Sequence, residues 1–246
     1  MSAVQSAFPP GDERRIGGRP IVVRTVGDRE YWLAQTGVGP EKAGRSAAQL
    51  LDHQSFSLVV STGFACALVT ADIGALLVGR EVVHHGHHDA TSSEVLHVPG
   101  DERDLAVTFI ETLVPPEYIG RFVSTDHVIG SAREKRTFAL NTQAIGLDME
   151  SSALAVQAQR AQVPFVIIRS VSDLLDEDLP LDFNLFLRPT GWLKGIGTVL
   201  AAPACLLGLG RFRRQSLVAG EALTAFFRSY VAAMATDRPS KILSPI

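Results

Sequence analysis

The sequence predicts a layered α/β domain, and two observations lead to this fold class. Short runs rich in β-branched and aromatic residues alternate along the chain with segments whose apolar residues recur at helical spacing. Around residue 167 a run of Phe, Val and Ile shows no alternation with polar residues, which is typical of a strand covered by helices on both faces. Because the 246 residues contain no internal repeat or long linker, we expect one domain over residues 1–246.

The first half of the chain is expected to hold mostly strands. The predicted strands are residues 3–8, 19–23, 31–35, 57–62 and 73–83. A turn at Gly27-Asp28 separates the second from the third. Residues 41–53 are expected to be helical, since Ala43, Ala47 and Leu50 would share one face.

The second half is expected to be richer in helix. Residues 81–100 are polar and histidine-rich and are predicted to form a loop. The predicted helices are residues 101–113, 150–162 and 216–235, and the predicted strands are residues 122–124 and 163–171.

Composition excludes several classes of protein. With 46% hydrophobic and 20% charged residues, the chain can build a full core and is not disordered. A net charge of −3 and the lack of a Lys/Arg run argue against a nucleic-acid binder. Cys66 and Cys205 are expected to be reduced core thiols. Residues 1–12 show no signal-peptide pattern, and the apolar stretch 196–210 is shorter than the ~20 residues of a membrane span, so we expect a cytoplasmic protein.

Two carboxylates stand where α/β proteins bind ligands. Asp173 ends the predicted buried strand, and open α/β sheets place their ligand crevices at the carboxyl ends of strands. Glu150 stands at the start of the predicted alanine-rich helix. Each residue alone also has a structural explanation, Asp173 as a helix cap and Glu150 as a favourable charge at a helix N-terminus.

Taken together, the two segments resemble the superfamily of purine nucleoside phosphorylases and methylthioadenosine/adenosylhomocysteine nucleosidases. The matching motifs are Met149-Glu150-Ser151, Pro164-Phe165-x-x-x-Arg169-x-x-Ser172-Asp173, Thr36-Gly37-Val38-Gly39, Ser61-Thr62-Gly63 and Ser124-Thr125-Asp126. The resemblance covers roughly residues 36–173. It implies a three-layer α/β/α sandwich with a mixed central sheet, cleavage of the ribose–base bond of an adenosine-derived purine nucleoside, and a homodimer.

The resemblance also implies a role for each residue. Breaking a ribose–base bond passes through an oxocarbenium-like state. Asp173 would protonate purine N7, which requires a raised pKa, while ionised Glu150 would bind the ribose hydroxyls and Met149 would pack against the ribose. Further substrate contacts are implied for Ala65, Cys66, Val128, Ile129, Asp148 and Ser172. The family often has an aromatic side chain where Val128 stands.

The attacking group is less well defined. Phosphorylases of this superfamily carry an arginine before the small-residue turn, whereas residues 58–63 contain no cation, which favours hydrolysis over phosphorolysis. Nucleosidases activate water with a Glu after the first strand, and that position falls near Gly11 here. Glu13 is our candidate for the role, with an ordinary solvated residue as its alternative. A non-catalytic nucleoside-binding module is a third interpretation.

Two further segments have open interpretations. The segment His84–Asp89 fits a metal site, a substrate loop, a subunit interface or an exposed loop; we predict no metal and no cofactor. Residues 183–214 fit a buried helix with a solvated basic end, or a membrane-surface contact that admits a lipid-linked nucleoside. Hopanoid-associated members of the superfamily are one resemblance for this segment, and a futalosine-type substrate is another.

Overall fold

The computed structural model describes residues 2–86, 108–109, 112–184 and 204–236. In chain order, the strands are β1 (Asp12–Ile16), β2 (Arg19–Val26), β3 (Arg29–Ala34), β4 (Val59–Ala67), β5 (Leu76–His85), β6 (Ile119–Thr125), β7 (Gly146–Asp148) and β8 (Phe165–Asp173). The helices are α1 (Ser2–Gln5), α2 (Pro40–His53), α3 (Ala132–Thr142), α4 (Ser151–Arg160) and α5 (Ala204–Thr236), with a 3₁₀ turn at Pro116–Tyr118.

The central sheet is mixed, as predicted, and it closes on itself. Its strand order is β4-β7-β6-β5-β8, and β8 also pairs with β4. The pairs β4–β8, β5–β6 and β6–β7 are parallel, whereas β4–β7 and β5–β8 are antiparallel. Helices surround this sheet, so the predicted α/β class is confirmed.

Strand β8 is the centre of the core. All nine of its residues are buried. Phe165 and Ile167 belong to the apolar cluster that includes α2 and α4, whereas Val166 and Ile168 pack in the cluster formed with α5. Because both faces of β8 are covered, its sequence shows no polar alternation, and the predicted doubly covered strand is confirmed.

A separate antiparallel sheet is formed by β1, β2 and β3. The second and third predicted strands are confirmed here, with Gly27-Asp28 as the turn between them. The strand predicted at residues 3–8 is wrong, because Ser2–Gln5 is helical. Val4 of this helix joins the apolar cluster with α5, so packing against a neighbouring helix outweighs the local β preference.

Other segments differ from the sequence prediction in extent. Strand β4 continues to Ala67, through Ala65 and Cys66, where the small-residue turn was expected, and β5 extends to His85 into the predicted loop. Helix α3 was not predicted, although Ser131 caps it by accepting a hydrogen bond from the Glu134 backbone N–H at 3.3 Å. Most of the helix predicted at residues 101–113 lies outside the described residues.

We predict that Gly146→Ala lowers the free energy of unfolding by about 1–3 kcal/mol, because it overpacks the core. A Cβ at Gly146 would lie 2.7 Å from the ring of Phe122, which is fully buried. The matched control is Gly210→Ala in α5, where nothing lies within 4 Å of the added carbon. This control is expected to gain up to about 1 kcal/mol from helix propensity. Urea denaturation measures both, and equal stability of Gly146→Ala and the parent would contradict the prediction.

Candidate active site

Strand β4 brings the two predicted carboxylates to one place. Glu150 lies in the turn between β7 and α4, and Asp173 is the last residue of β8. Cys66 of β4 is paired with Leu147 of β7 on one side and with Asp173 on the other. Residues that are distant in sequence therefore meet at one end of the closed sheet.

Glu150 is held between a backbone amide and a guanidinium. Its Oε1 accepts a hydrogen bond from the Gly39 backbone N–H at 3.0 Å, at the start of α2. Its Oε2 lies 3.8 Å from Nη2 of Arg169. Burial raises the pKa of Glu150, and the nearby Arg169 opposes this rise. The Thr36–Gly39 motif thus contacts the same carboxylate as the motif on β8.

Arg169 of β8 forms a buried ion pair with Asp148. Arg169 Nη2 lies 2.7 Å from Asp148 Oδ2, and the two side chains are only 5% and 1% exposed. The same nitrogen donates to Ser61 Oγ at 3.0 Å and to Ser151 Oγ at 3.1 Å. The guanidinium passes over Gly63, where a Cβ would lie 2.6 Å from Nη1. Only a glycine at this position leaves room for it.

Asp148 also shapes the turn that carries Glu150. Its Oδ1 accepts hydrogen bonds from Ser124 Oγ at 2.6 Å and from the backbone N–H groups of Glu150 and Ser151 at 3.2 and 3.1 Å. Ser151 Oγ donates to Oδ2. Both oxygens are therefore occupied by protein donors, and Asp148 orients the turn from beneath. Its predicted contact with substrate stays a prediction.

Asp173 is paired with a lysine that the sequence analysis did not single out. Lys135 Nζ lies 2.7 Å from Asp173 Oδ1, and these side chains are 0% and 11% exposed. Burial raises the pKa of Asp173, while Lys135 opposes the rise by favouring the carboxylate. The direction of the shift agrees with that expected of a general acid.

The other predicted contact residues have different surroundings. Ala65, Cys66, Ile129 and Ser172 are buried, and Met149 and Val128 are partly buried. The backbone of Val128 is already used, because its N–H donates to Asn184 Oδ1 at 2.7 Å and its carbonyl accepts from Asn184 Nδ2 at 2.9 Å. Only its side chain therefore remains as a predicted platform for the base.

Glu13 lies on β1, exposed, in the separate three-stranded sheet. Within the described part of the chain, no hydrogen bond or ion pair joins it to Glu150 or Asp173, and its role stays a prediction. A Cβ at Gly11 would lie 2.4 Å from the carbonyl oxygen of Val23. The β2 backbone therefore excludes a side chain at Gly11, the position where the resemblance expects a carboxylate.

The segments that form this site lie within the region that matches known proteins. A model of the phosphorylase superfamily matches residues 5–188. The chain belongs to this superfamily. The 5′-methylthioadenosine/S-adenosylhomocysteine nucleosidases of Staphylococcus haemolyticus and Staphylococcus aureus MRSA252 are 28% and 27% identical to it over 176 residues, covering 66% and 65% of this chain and 76% of each relative.

This chain has the same fold as several solved structures. A Helicobacter pylori nucleosidase mutant with 5′-methylthioadenosine in its active site superposes with a TM-score of 0.71 at 17% identity, covering 94% of this chain and 93% of the other. The futalosine hydrolase of Helicobacter pylori gives a TM-score of 0.70 at 16% identity, covering 94% and 92%. These similarities confirm the expected fold.

Sequence reasoning missed the roles of two cations. Arg169 stands inside the quoted motif, and a lone arginine in a buried apolar strand indicates a buried partner. Lys135 follows Ser131 and Glu134, whose spacing is that of a capping box, so the helix was predictable. Its partner Asp173 lies 38 residues later, and only the fold shows that pairing.

The segment beginning at His84 is described only in part. His84 Nδ1 lies 3.3 Å from Ser152 Oγ, and its Nε2 lies 3.4 Å from Asp126 Oδ1. Residues 87–89 and 185–203 lie outside the described part. Among the residues that are described, no group of three His, Cys, Asp or Glu side chains could hold a metal ion, and no helix is long and apolar enough to cross a membrane.

We predict that Glu150→Gln raises the melting temperature more at neutral pH than at pH about 4, near the ordinary pKa of Glu. Because burial raises the pKa of Glu150 in the folded protein, the stability contributed by its proton is complete below the unfolded pKa and is lost as the pH rises through the folded pKa. Glutamine removes this loss. Thermal denaturation across this pH range measures the difference.

The matched control for this measurement is Glu221→Gln on the exposed face of α5. It should keep the pH dependence of the parent. A difference between Glu150→Gln and the parent that shrinks as the pH rises would contradict the assigned cost of burying the carboxylate.

Proposed function

We propose that this chain is a nucleosidase that hydrolyses the N-glycosidic bond of an adenosine-derived purine nucleoside. The observation that carries the proposal is the pair of carboxyl groups of Glu150 and Asp173, which are 18% and 11% exposed and lie 3.8 and 2.7 Å from Arg169 and Lys135 at one end of the closed sheet. Membership of the phosphorylase superfamily and the similarity to methylthioadenosine/adenosylhomocysteine nucleosidases support it.

The two carboxyl groups suit the two halves of the reaction. Protonated Asp173 would donate its proton to N7 of the base and so make the base a better leaving group. Ionised Glu150 would accept hydrogen bonds from the ribose hydroxyls and stabilise the positive charge that develops on the sugar. Met149, beside Glu150, would pack against the ribose.

Charge at the site favours water over phosphate as the nucleophile. Arg169 and Lys135 are each already paired with an acidic side chain, and with Asp173 protonated as the acid, ionised Asp148 and Glu150 balance these two cations. In the described ranges, no third cation makes an ion pair with these carboxylates. A phosphate dianion needs free cationic donors, so phosphorolysis is the second candidate and hydrolysis the first.

We also propose an apolar group on the 5′ position of the substrate. The staphylococcal relatives are named for 5′-methylthioadenosine, and Val38, an apolar side chain that is 58% exposed, precedes Gly39, whose backbone N–H donates to Glu150. A methylthio group has this apolar character, and a lipid-linked nucleoside with contact to a membrane surface is the extreme case.

The cellular setting belongs to the same proposal. We propose that the protein acts as a homodimer in the cytoplasm, as the resemblance implies. Light scattering after gel filtration tests the dimer. Vesicle co-sedimentation tests the membrane contact.

We predict that Asp173→Asn lowers base release by about 10²-fold or more, because the amide cannot act as a general acid. Asp176→Asn is the matched control, since this side chain follows in the same loop but is 70% exposed and pairs with Arg136. Free adenine is measured from a panel of nucleosides with hydroxyl, methylthio and longer alkylthio 5′ groups. Near-normal release of adenine by Asp173→Asn would contradict the assignment of Asp173 as the acid.

The same panel separates the candidate functions. Release that does not depend on phosphate supports hydrolysis. Release that requires phosphate identifies a phosphorylase. Binding of a nucleoside without any release identifies a non-catalytic module.

A further inference from the structure

The ammonium group of Lys135 is completely used by the segment that contains Asp173. Nζ donates to Asp173 Oδ1 at 2.7 Å, to the Leu174 carbonyl at 3.0 Å and to the Glu177 carbonyl at 2.6 Å. An ammonium has three N–H donors, so each has one acceptor. Lys135 is fully buried, which places this charge out of reach of solvent.

Helix α3 is fixed to the same segment around Lys135. The Ala132 backbone N–H donates to Asp178 Oδ1 at 2.7 Å, in the loop that follows β8. Ser131 caps the helix in front of Ala132. The first turn of α3 therefore holds the chain that follows β8, and Lys135 has little freedom to leave Asp173.

We propose that Lys135 is a positioning residue that keeps Oδ1 of Asp173 unprotonated, so that Oδ2 carries the proton for the leaving base. This inference rests on the proposed function. A proton on Oδ1 would point at an N–H of the ammonium, whereas the same proton on Oδ2 leaves the charge-assisted hydrogen bond intact. The lysine thereby decides which oxygen acts as the acid.

The same ammonium stabilises the product of the proton transfer. The proton moves from Asp173 Oδ2 to N7 while the electron pair of the C1′–N9 bond passes to the base. Water then bonds to C1′ and releases a proton to solvent, and Asp173 is reprotonated from solvent. Lys135 keeps all three protons throughout, and it faces the carboxylate charge as that charge appears, as a preorganised group should.

Burial and two neighbouring charged groups shift the pKa of Asp173. Burial raises the pKa of Asp173 and the Lys135 ammonium lowers it, while the Glu177 carboxylate adds a smaller rise. The Cys66 thiol donates to the Ala67 carbonyl at 3.2 Å, and burial raises the pKa of this thiol, which keeps its proton. Removing the ammonium would therefore raise the pKa of Asp173 further.

We predict that Lys135→Met lowers kcat about tenfold or more with little change in KM, because the weakened acid acts in the transition state. The alkaline limb of the kcat/KM profile is expected to move to higher pH, since Asp173 holds its proton longer. Arg136→Met is the matched control, because Arg136 is the next residue of α3 and contacts the same loop without touching Asp173. It should change neither quantity.

A purely structural role would give a different result. If Lys135→Met lost activity only in proportion to its folded fraction, with the alkaline limb unmoved, the inference would be overturned. Parent kcat with an unmoved limb would overturn it as well. In either case Asp173→Asn would still test the proposed function separately, whereas a parent chain that releases no base from any nucleoside would overturn both.

A double variant keeps the test valid if Lys135→Met does not fold. Asp173→Asn leaves the buried ammonium without its counter-charge, which is costly. Combining it with Lys135→Met removes that charge, so the double variant should melt at a higher temperature than Asp173→Asn. Its kcat should lie within about threefold of Asp173→Asn, because residues that act as one unit are not additive. A further tenfold loss in the double variant would contradict the shared role.

Discussion

The buried ion pair between Arg169 and Asp148 is the interaction on which the site depends. Two charged side chains that are 5% and 1% exposed lose their hydration on folding, so the cost of burying them must be offset by hydrogen bonds that replace the lost water. Ser61, Ser124 and Ser151 supply the additional hydrogen bonds. This requirement fixes β4, β6, β7 and β8 relative to one another. The turn bearing Glu150 follows from it, because Asp148 also accepts the backbone N–H that begins this turn.

The pKa values of Glu150 and Asp173 are shifted by the same two opposing effects, burial and a nearby cation. Each is buried enough for its pKa to rise, and each stands beside a cation that limits the rise. The partners differ in distance, since Lys135 Nζ lies 2.7 Å from Asp173 whereas Arg169 Nη2 lies 3.8 Å from Glu150. Arg169 makes its close contact with Asp148 and leaves Glu150 an oxygen that faces no close cation. Lys135 instead occupies one oxygen of Asp173 directly. That difference suits one group for binding ribose and the other for handling a proton.

The elements and site residues that could be predicted from the sequence are those determined by local sequence pattern or by a specific motif. Strand β8 was predictable because both of its faces are apolar, and Glu150 and Asp173 because their motifs occur together. Helix α3 begins with the Ser-x-x-Glu spacing of a capping box, and it was missed although Ser131 and Glu134 carry that signal. The pairing of Lys135 with Asp173 has no local signal, because two elements meet only in the folded chain. Glu13 shows the opposite limit. The resemblance expects a carboxylate near Gly11, but the Val23 carbonyl on β2 leaves no room for a side chain there, and Glu13 is only the nearby candidate.

Gly63 explains how the guanidinium of Arg169 fits beside β4. Arg169 reaches Asp148 by crossing Gly63, where any Cβ would collide with the guanidinium, so the small-residue segment of β4 makes room for a protein cation. The segment contains no arginine of its own, yet a cation lies above it. That cation is committed to Asp148, which separates the site from a phosphate cradle: positive charge is present but already neutralised. A neutral nucleophile suits such a site better than a dianion does, because it adds no charge to a cluster in which carboxylates already balance the cations.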